Sequence, residues 1–177
     1  FDYAVLYPQP YTAEVHAAAT RAGIAPPLIY GVIRQESLYR ANGVSAGRAV
    51  RLAQPTPDTA RVVARRWQEP TPKIADLMDP AVNVRLGAAH LRTLTDRYGG
   101  QLPIALAAYN AGPNAAERWL PAAALDSDVW IENIPYNETR AYVRRVLWHG
   151  LVYRWPTTGQ PQSTRDWVSR IPSAAAP

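Results

Sequence analysis

Asp79-Pro80 and Gly99-Gly100 bracket a stretch in which Val84, Gly87, Ala88, Leu91, Leu94 and Tyr98 recur at helical spacing. Side chains three and four positions apart share one helix face, Pro suits a first turn, and Gly suits the end. The same punctuation repeats along the chain. Thr12 caps a helix running to about Arg21, closed by Gly23, and Pro26-Pro27 start one that Asn42-Gly43 ends. Thr56-Pro57 start another to about Trp67, and Pro103 starts the apolar IALAAYNA, ended by Gly112-Pro113. Asn114 to Leu120 and Asp128 to Asn133 read as short helices. Asn137 caps the last long one, from Glu138 to about Trp155, where Pro156 stops it. Between Met78 and Glu69 lies a Pro-punctuated connection, and residues 43–55 read as a loop with short strand pieces. Seven or so helices with one irregular stretch make a mainly α chain, with room for a very small antiparallel β element.

A chain of 177 residues with 47% hydrophobic and 19% charged side chains builds one domain with a real core. Residues 1–10, carrying Pro8 and Pro10, read as an incoming linker, 11–155 as the domain, and the Pro/Ser/Ala-rich 156–177 as a loosely packed tail. The start at Phe1 leads us to expect a domain cut from a longer precursor, with an upstream region and targeting signals missing. The absence of cysteine excludes disulfides and thiolate chemistry. No apolar run approaches the roughly 18 residues that span a bilayer. A net charge of +5 and a pI near 9.7 admit nucleic acid, an anionic wall polymer or a membrane surface as partner. The arginines are dispersed, which argues against a nucleic-acid patch. His16, His90 and His149 have no metal-ligand spacing, and no motif calls for a cofactor. Six Trp and ten Tyr against one Phe suit a sugar-binding cleft as well as an ordinary core.

Glu36 stands where a core side chain is due. Ile29, Val32, Ile33 and Glu36 follow the i, i+3, i+4, i+7 pattern, and an anion on that face is costly to bury. Burial and the exposed carbonyls of a nearby helix end both raise a carboxyl pKa. A carboxyl kept protonated near neutral pH is the general acid of glycoside cleavage. The competing reading is a structural Glu bonded to a neighbouring loop or paired with Arg40, and periodicity alone favours it.

The order of motifs changes that balance. Glu36-Ser37, Ser45, Leu52-Ala53-Gln54 and Pro57-Asp58-Thr59-Ala60 resemble the E-S, S, G-L-M-Q and P-x-T-A motifs of soluble lytic murein transglycosylases. Asp79 to Gly87, the stretch Ala107-Ala108-Tyr109-Asn110-Ala111-Gly112-Pro113 and the stretch Ile134 to Val143 are similar to three further motifs of that family. The resemblance covers about Tyr7 to Tyr153. It implies a lysozyme-like α domain, commonly joined to an upstream helical ring, in the periplasm or cell envelope. It also implies cleavage of the β-1,4 bond between N-acetylmuramic acid and N-acetylglucosamine in peptidoglycan glycan strands. The products would end in 1,6-anhydromuramic acid, and other cell-wall enzymes would be partners.

Carried over residue by residue, Glu36 matches the catalytic acid/base. Ser45 matches a serine bonding near that Glu and the substrate, and Gln54 a glutamine lining the cleft. Tyr109 matches a tyrosine near the Glu and the substrate acetamido group, Asn110 supports its loop, and Glu138 matches a glutamate contacting the muropeptide. Taken singly, each has a plain structural reading: a turn Ser, a loop amide, a core Tyr, a helix-end Asn, and an anion in a first helical turn. Asp58, Asp79, Asp96 and Glu138 fall near helix ends, where structural roles suffice, so the sequence is compatible with the single catalytic carboxyl that the resemblance implies. The loop after Glu36 departs from the family. Arg48 and Arg51 stand at the usual glycines, Ala53 replaces a common Met, and Pro55-Thr56 replace Leu-Met. An arginine there narrows the cleft or strains the turn, binds the anionic stem peptide, or pairs with Glu36 and impairs the acid. The alternatives to an active enzyme are therefore a peptidoglycan-binding scaffold on the same fold and a hydrolytic muramidase of goose-type lysozyme character.

Overall fold

The computed structural model describes residues 3–38, 56–159 and 163–174. Within them the chain forms α1 (Tyr3–Leu6), α2 (Thr12–Ala22), α3 (Pro26–Leu38), α4 (Pro57–Arg66), α5 (Pro80–Arg97), α6 (Leu102–Ala111), α7 (Pro113–Arg118), α8 (Ser127–Glu132) and α9 (Asn137–Thr158). Two 3-10 turns, Asp76–Met78 and Thr164–Asp166, complete the set. The β content among the described residues is an isolated antiparallel bridge, Leu125 with Ile171. The strand pieces expected in residues 43–55 lie outside the described residues.

Two of the expected starts form as local chemistry dictates. The Thr56 hydroxyl accepts from the Thr59 amide, and the Asp79 carboxylate accepts from the Ala81 and Val82 amides. Two others differ. Tyr11, in the left-handed region at φ 56°, precedes α2, and the Thr12 hydroxyl donates back to the Gln9 carbonyl. Tyr136 occupies the cap of α9, while Asn137 is its first residue and takes a hydrogen bond from Arg140. The last helix also runs past Pro156 to Thr158 and stops at Gly159, φ 63°. Pro156 sits in the final turn, so its missing N–H costs one ladder bond and its position does not end the helix.

α6 is apolar around its circumference, and every residue from Leu102 to Ala108 is buried. Such a helix belongs at the centre of a core. α9 packs against it, and α3 packs in turn against α9. A Cβ at Gly31 would meet the Val146 carbonyl at 2.8 Å and the Gly150 amide at 3.1 Å, so the two backbones approach as closely as glycine allows. α2 packs along α5 and α3, while α4 covers a smaller apolar cluster of Val63, Leu77 and Leu86. Glu69 joins these layers. Arg85 donates to it at 2.8 Å, and Arg21 lies 3.1 Å from its other oxygen without hydrogen-bond alignment.

Residues 163–174 fold back instead of trailing as a loose tail. Trp167 lies over Gly150, where a Cβ would stand 2.9 Å from the indole, and Ile171 is fully buried. Arg170 pairs with Asp126 at 3.0 Å, and Gln101 donates to the Arg170 carbonyl.

Candidate active site

Glu36 lies in the last turn of α3 and is partly buried. Ile29, Val32 and Ile33 on the preceding turns are buried, as the spacing predicts, so the apolar face fixes the direction of the helix that carries the carboxylate. Two tyrosines from other helices converge on it. Tyr109 stands near the end of α6. The residue as a whole is partly exposed, but its hydroxyl end lies deep, and burial followed by the Glu36 charge pushes its pKa well up. Tyr142 comes from the second turn of α9 and is 1% exposed. Its pKa is raised by burial first, then by the Glu36 and Tyr109 charges and by Glu36 as hydrogen-bond acceptor. No partner has full hydrogen-bond geometry with the buried Tyr142 hydroxyl, and Glu36 is the acceptor that bears on it. Both phenols therefore stay protonated across the neutral range and remain donors.

Tyr142 is the residue that the sequence reading passed over. It stood in the Ile134 to Val143 stretch, but its part depends on where α9 crosses α3, which no local pattern encodes.

Asn110 follows Tyr109, and its side-chain oxygen accepts from Thr139 on α9 at 2.7 Å. Glu138 precedes Thr139, exposed in the first turn of α9. Asn110 and Glu138 thus lie at the same end of the α6–α9 pair as Tyr109. Thr56 holds the cap of α4, its hydroxyl engaged with Thr59. Ser45, Arg48, Arg51, Ala53 and Gln54 lie outside the described residues. Three other carboxylates have structural partners: Asp58 pairs with Arg61 at 2.8 Å, Asp79 caps α5, and Asp96 pairs with Arg92 at 2.7 Å.

Residues 14–128 match the sequence profile of the Transglycosylase SLT domain. This chain belongs to that family. The SLT domain is 34% identical over 157 residues to a putative soluble lytic murein transglycosylase of Haemophilus influenzae, covering 87% of this chain and 26% of that protein. It is 32% identical over 144 residues to the soluble lytic murein transglycosylase of Escherichia coli K12, covering 78% and 22%. Among solved structures it superposes on an inactive mutant of lytic transglycosylase Slt from Pseudomonas aeruginosa with a TM-score of 0.81 and 33% identity, over 95% of this chain and 28% of that one. The 70 kDa soluble lytic transglycosylase from Escherichia coli gives 0.79 and 27%, over 96% and 28%. The fold is the mainly α, lysozyme-like one that the sequence led us to expect. The SLT domain spans about a quarter of the length of these curated relatives. Among the described residues no helix is long and apolar enough to cross a membrane.

Proposed function

We propose that this SLT domain is a peptidoglycan lytic transglycosylase with Glu36 as its single acid/base. The observation that carries the reading is the convergence of two protonated tyrosines, Tyr109 and Tyr142, on a partly buried Glu36 at the end of α3. In the first step the Glu36 carboxyl gives its proton to the glycosidic oxygen between N-acetylmuramic acid and N-acetylglucosamine. The C1–O bond breaks, and the muramyl acetamido oxygen closes on C1. In the second step the Glu36 carboxylate takes the proton of the muramyl 6-hydroxyl, whose oxygen displaces the acetamido group and forms the 1,6-anhydro ring. Glu36 is an anion only between the steps, and two preorganised phenol donors suit that interval.

A conventional glycosidase needs a second carboxylate across the bond. The engagement of Asp58, Asp79 and Asp96 elsewhere favours the single-carboxyl route. Asn110 and Glu138 would line the glycan path, and Ser45 and Gln54 follow Glu36 in the sequence. The substrate places the domain at the cell envelope, facing the periplasm, where other cell-wall enzymes act on the same strands.

Mass spectrometry of products from purified peptidoglycan, with native protein beside Glu36→Gln, tests the reading. Anhydromuropeptides from native protein alone support it. Retained binding without products from either protein would point to a scaffold, the reading that Arg48 and Arg51 favour, and reducing-end products to a hydrolytic muramidase.

A further inference from the structure

The phenol of Tyr109 reaches the neighbourhood of Glu36 from the end of α6, and the backbone beneath it is immobilised by the burial of Leu102 to Ala108. The side chain still has two torsions of its own, χ1 and χ2, and an ångström of drift at its tip matters. Catalytic groups misplaced by that much lose rate by up to about a hundredfold.

His90 lies against the ring. Its imidazole stands 4.9 Å from the Tyr109 ring, centroid to centroid, with the planes tilted by 41°. Tilted aromatic pairs at this distance attract beyond their buried area, because the edge of one ring meets the face of the other. His90 comes from α5, whose Val84, Leu91 and Leu94 are buried in the main core, so the imidazole is presented from a fixed base. Among the described residues its side chain has no hydrogen bond or ion pair, and its ring contact is the one with Tyr109. Burial holds its pKa down at about 4. At neutral pH the ring is uncharged, and it brings no cation toward the carboxylate that Tyr109 faces.

We propose that His90 is a positioning residue whose ring, packed on Tyr109, holds that phenol directed at Glu36. The inference rests on the transglycosylase reading above. It draws a fourth helix into the site and gives a part to a histidine for which spacing alone offered no metal-ligand role.

The test compares His90→Leu, which fills similar space without a flat ring, with His90→Phe, which keeps the ring and removes both nitrogens. Release of anhydro products from a soluble, defined glycan strand supplies kcat and KM, and thermal melting supplies Tm. His90→Leu is expected to lower kcat about tenfold with KM within about twofold, at unchanged Tm, while His90→Phe recovers most of the rate. Three results overturn the inference: native kcat in His90→Leu, equal slowing of both variants, or a loss of rate that follows the folded fraction. If native protein is active and His90→Leu equals it, the inference fails alone. If native protein yields no anhydro products, the inference falls together with the reading beneath it.

Discussion

The Thr139 hydroxyl donates to the Asn110 side-chain oxygen at 2.7 Å and so fastens the first turn of α9 to the last turn of α6. Thr139 is 2% exposed, whereas Asn110 is only partly buried. Removing the acceptor strands a buried donor, and removing the donor leaves a group that water still reaches. Asn110→Ala is therefore expected to destabilise by about 1–2 kcal/mol in urea unfolding, and Thr139→Val by less. The reverse order would show that this bond does not hold the two helices.

The crossing of α3 and α9 supplies the second prediction. A methyl group at residue 31 would sit 2.8 Å from the Val146 carbonyl, a backbone atom that cannot swing aside. Gly31→Ala should cost about 1–3 kcal/mol by forcing the helices apart. Because α3 carries Glu36 and α9 carries Tyr142, turnover should fall even at temperatures where the variant is fully folded. A Tm equal to that of native protein would show that the contact is not tight.

Tyr142→Phe separates chemistry from packing. The hydroxyl it removes is buried without a formed hydrogen bond, so the fold should be as stable as before or slightly more so. If that hydroxyl serves the Glu36 carboxylate between the two steps, kcat should drop by about a hundredfold or more, in the range of a lost oxyanion donor. Native turnover in Tyr142→Phe would reduce Tyr142 to a core residue.

Stability should fall on acidification for a reason located at His149. This side chain is 9% exposed, with Tyr7 against its ring, and its pKa is lowered from 6.5 to about 4 by burial, then by the charges of Arg34 and Arg145. His90 is lowered to about 4 by burial. The unfolded chain accepts these protons near 6.5, while the folded chain refuses them until about 4. Their contribution to stability is thus whole above pH 6.5 and is lost as pH falls toward 4. Melting temperatures measured from pH 7 to 4 should decline less steeply in His149→Phe than in native protein. Parallel curves would place the acid sensitivity elsewhere.

What could be read in advance follows the range of the interactions. The Thr56 and Asp79 caps, the apolar stripe of α5 and the burial of Ile29, Val32 and Ile33 are settled within a few residues, and they stand where the spacing put them. Pro156 misled because a proline near a helix end is ambiguous until the true stop, Gly159, is known. Trp167 and Ile171 were lost in a run of Pro, Ser and Ala, since composition averages over the two residues that pack. Glu36 and Tyr109 were found through an ordered set of motifs. Tyr142 and His90 were not, because each depends on which helix lies beside which.

Glu36, Tyr109 and Tyr142 lie on α3, α6 and α9, with most of the chain strung between the first and the last. No single hairpin or nascent stretch holds even two of the three helices without the segments that order them. Contacts of such long sequence separation form late and together, in the same cooperative step that closes the core. A half-made or nicked chain therefore has no partial version of this centre. Loss of the cleft chemistry and loss of the global fold should appear as one transition.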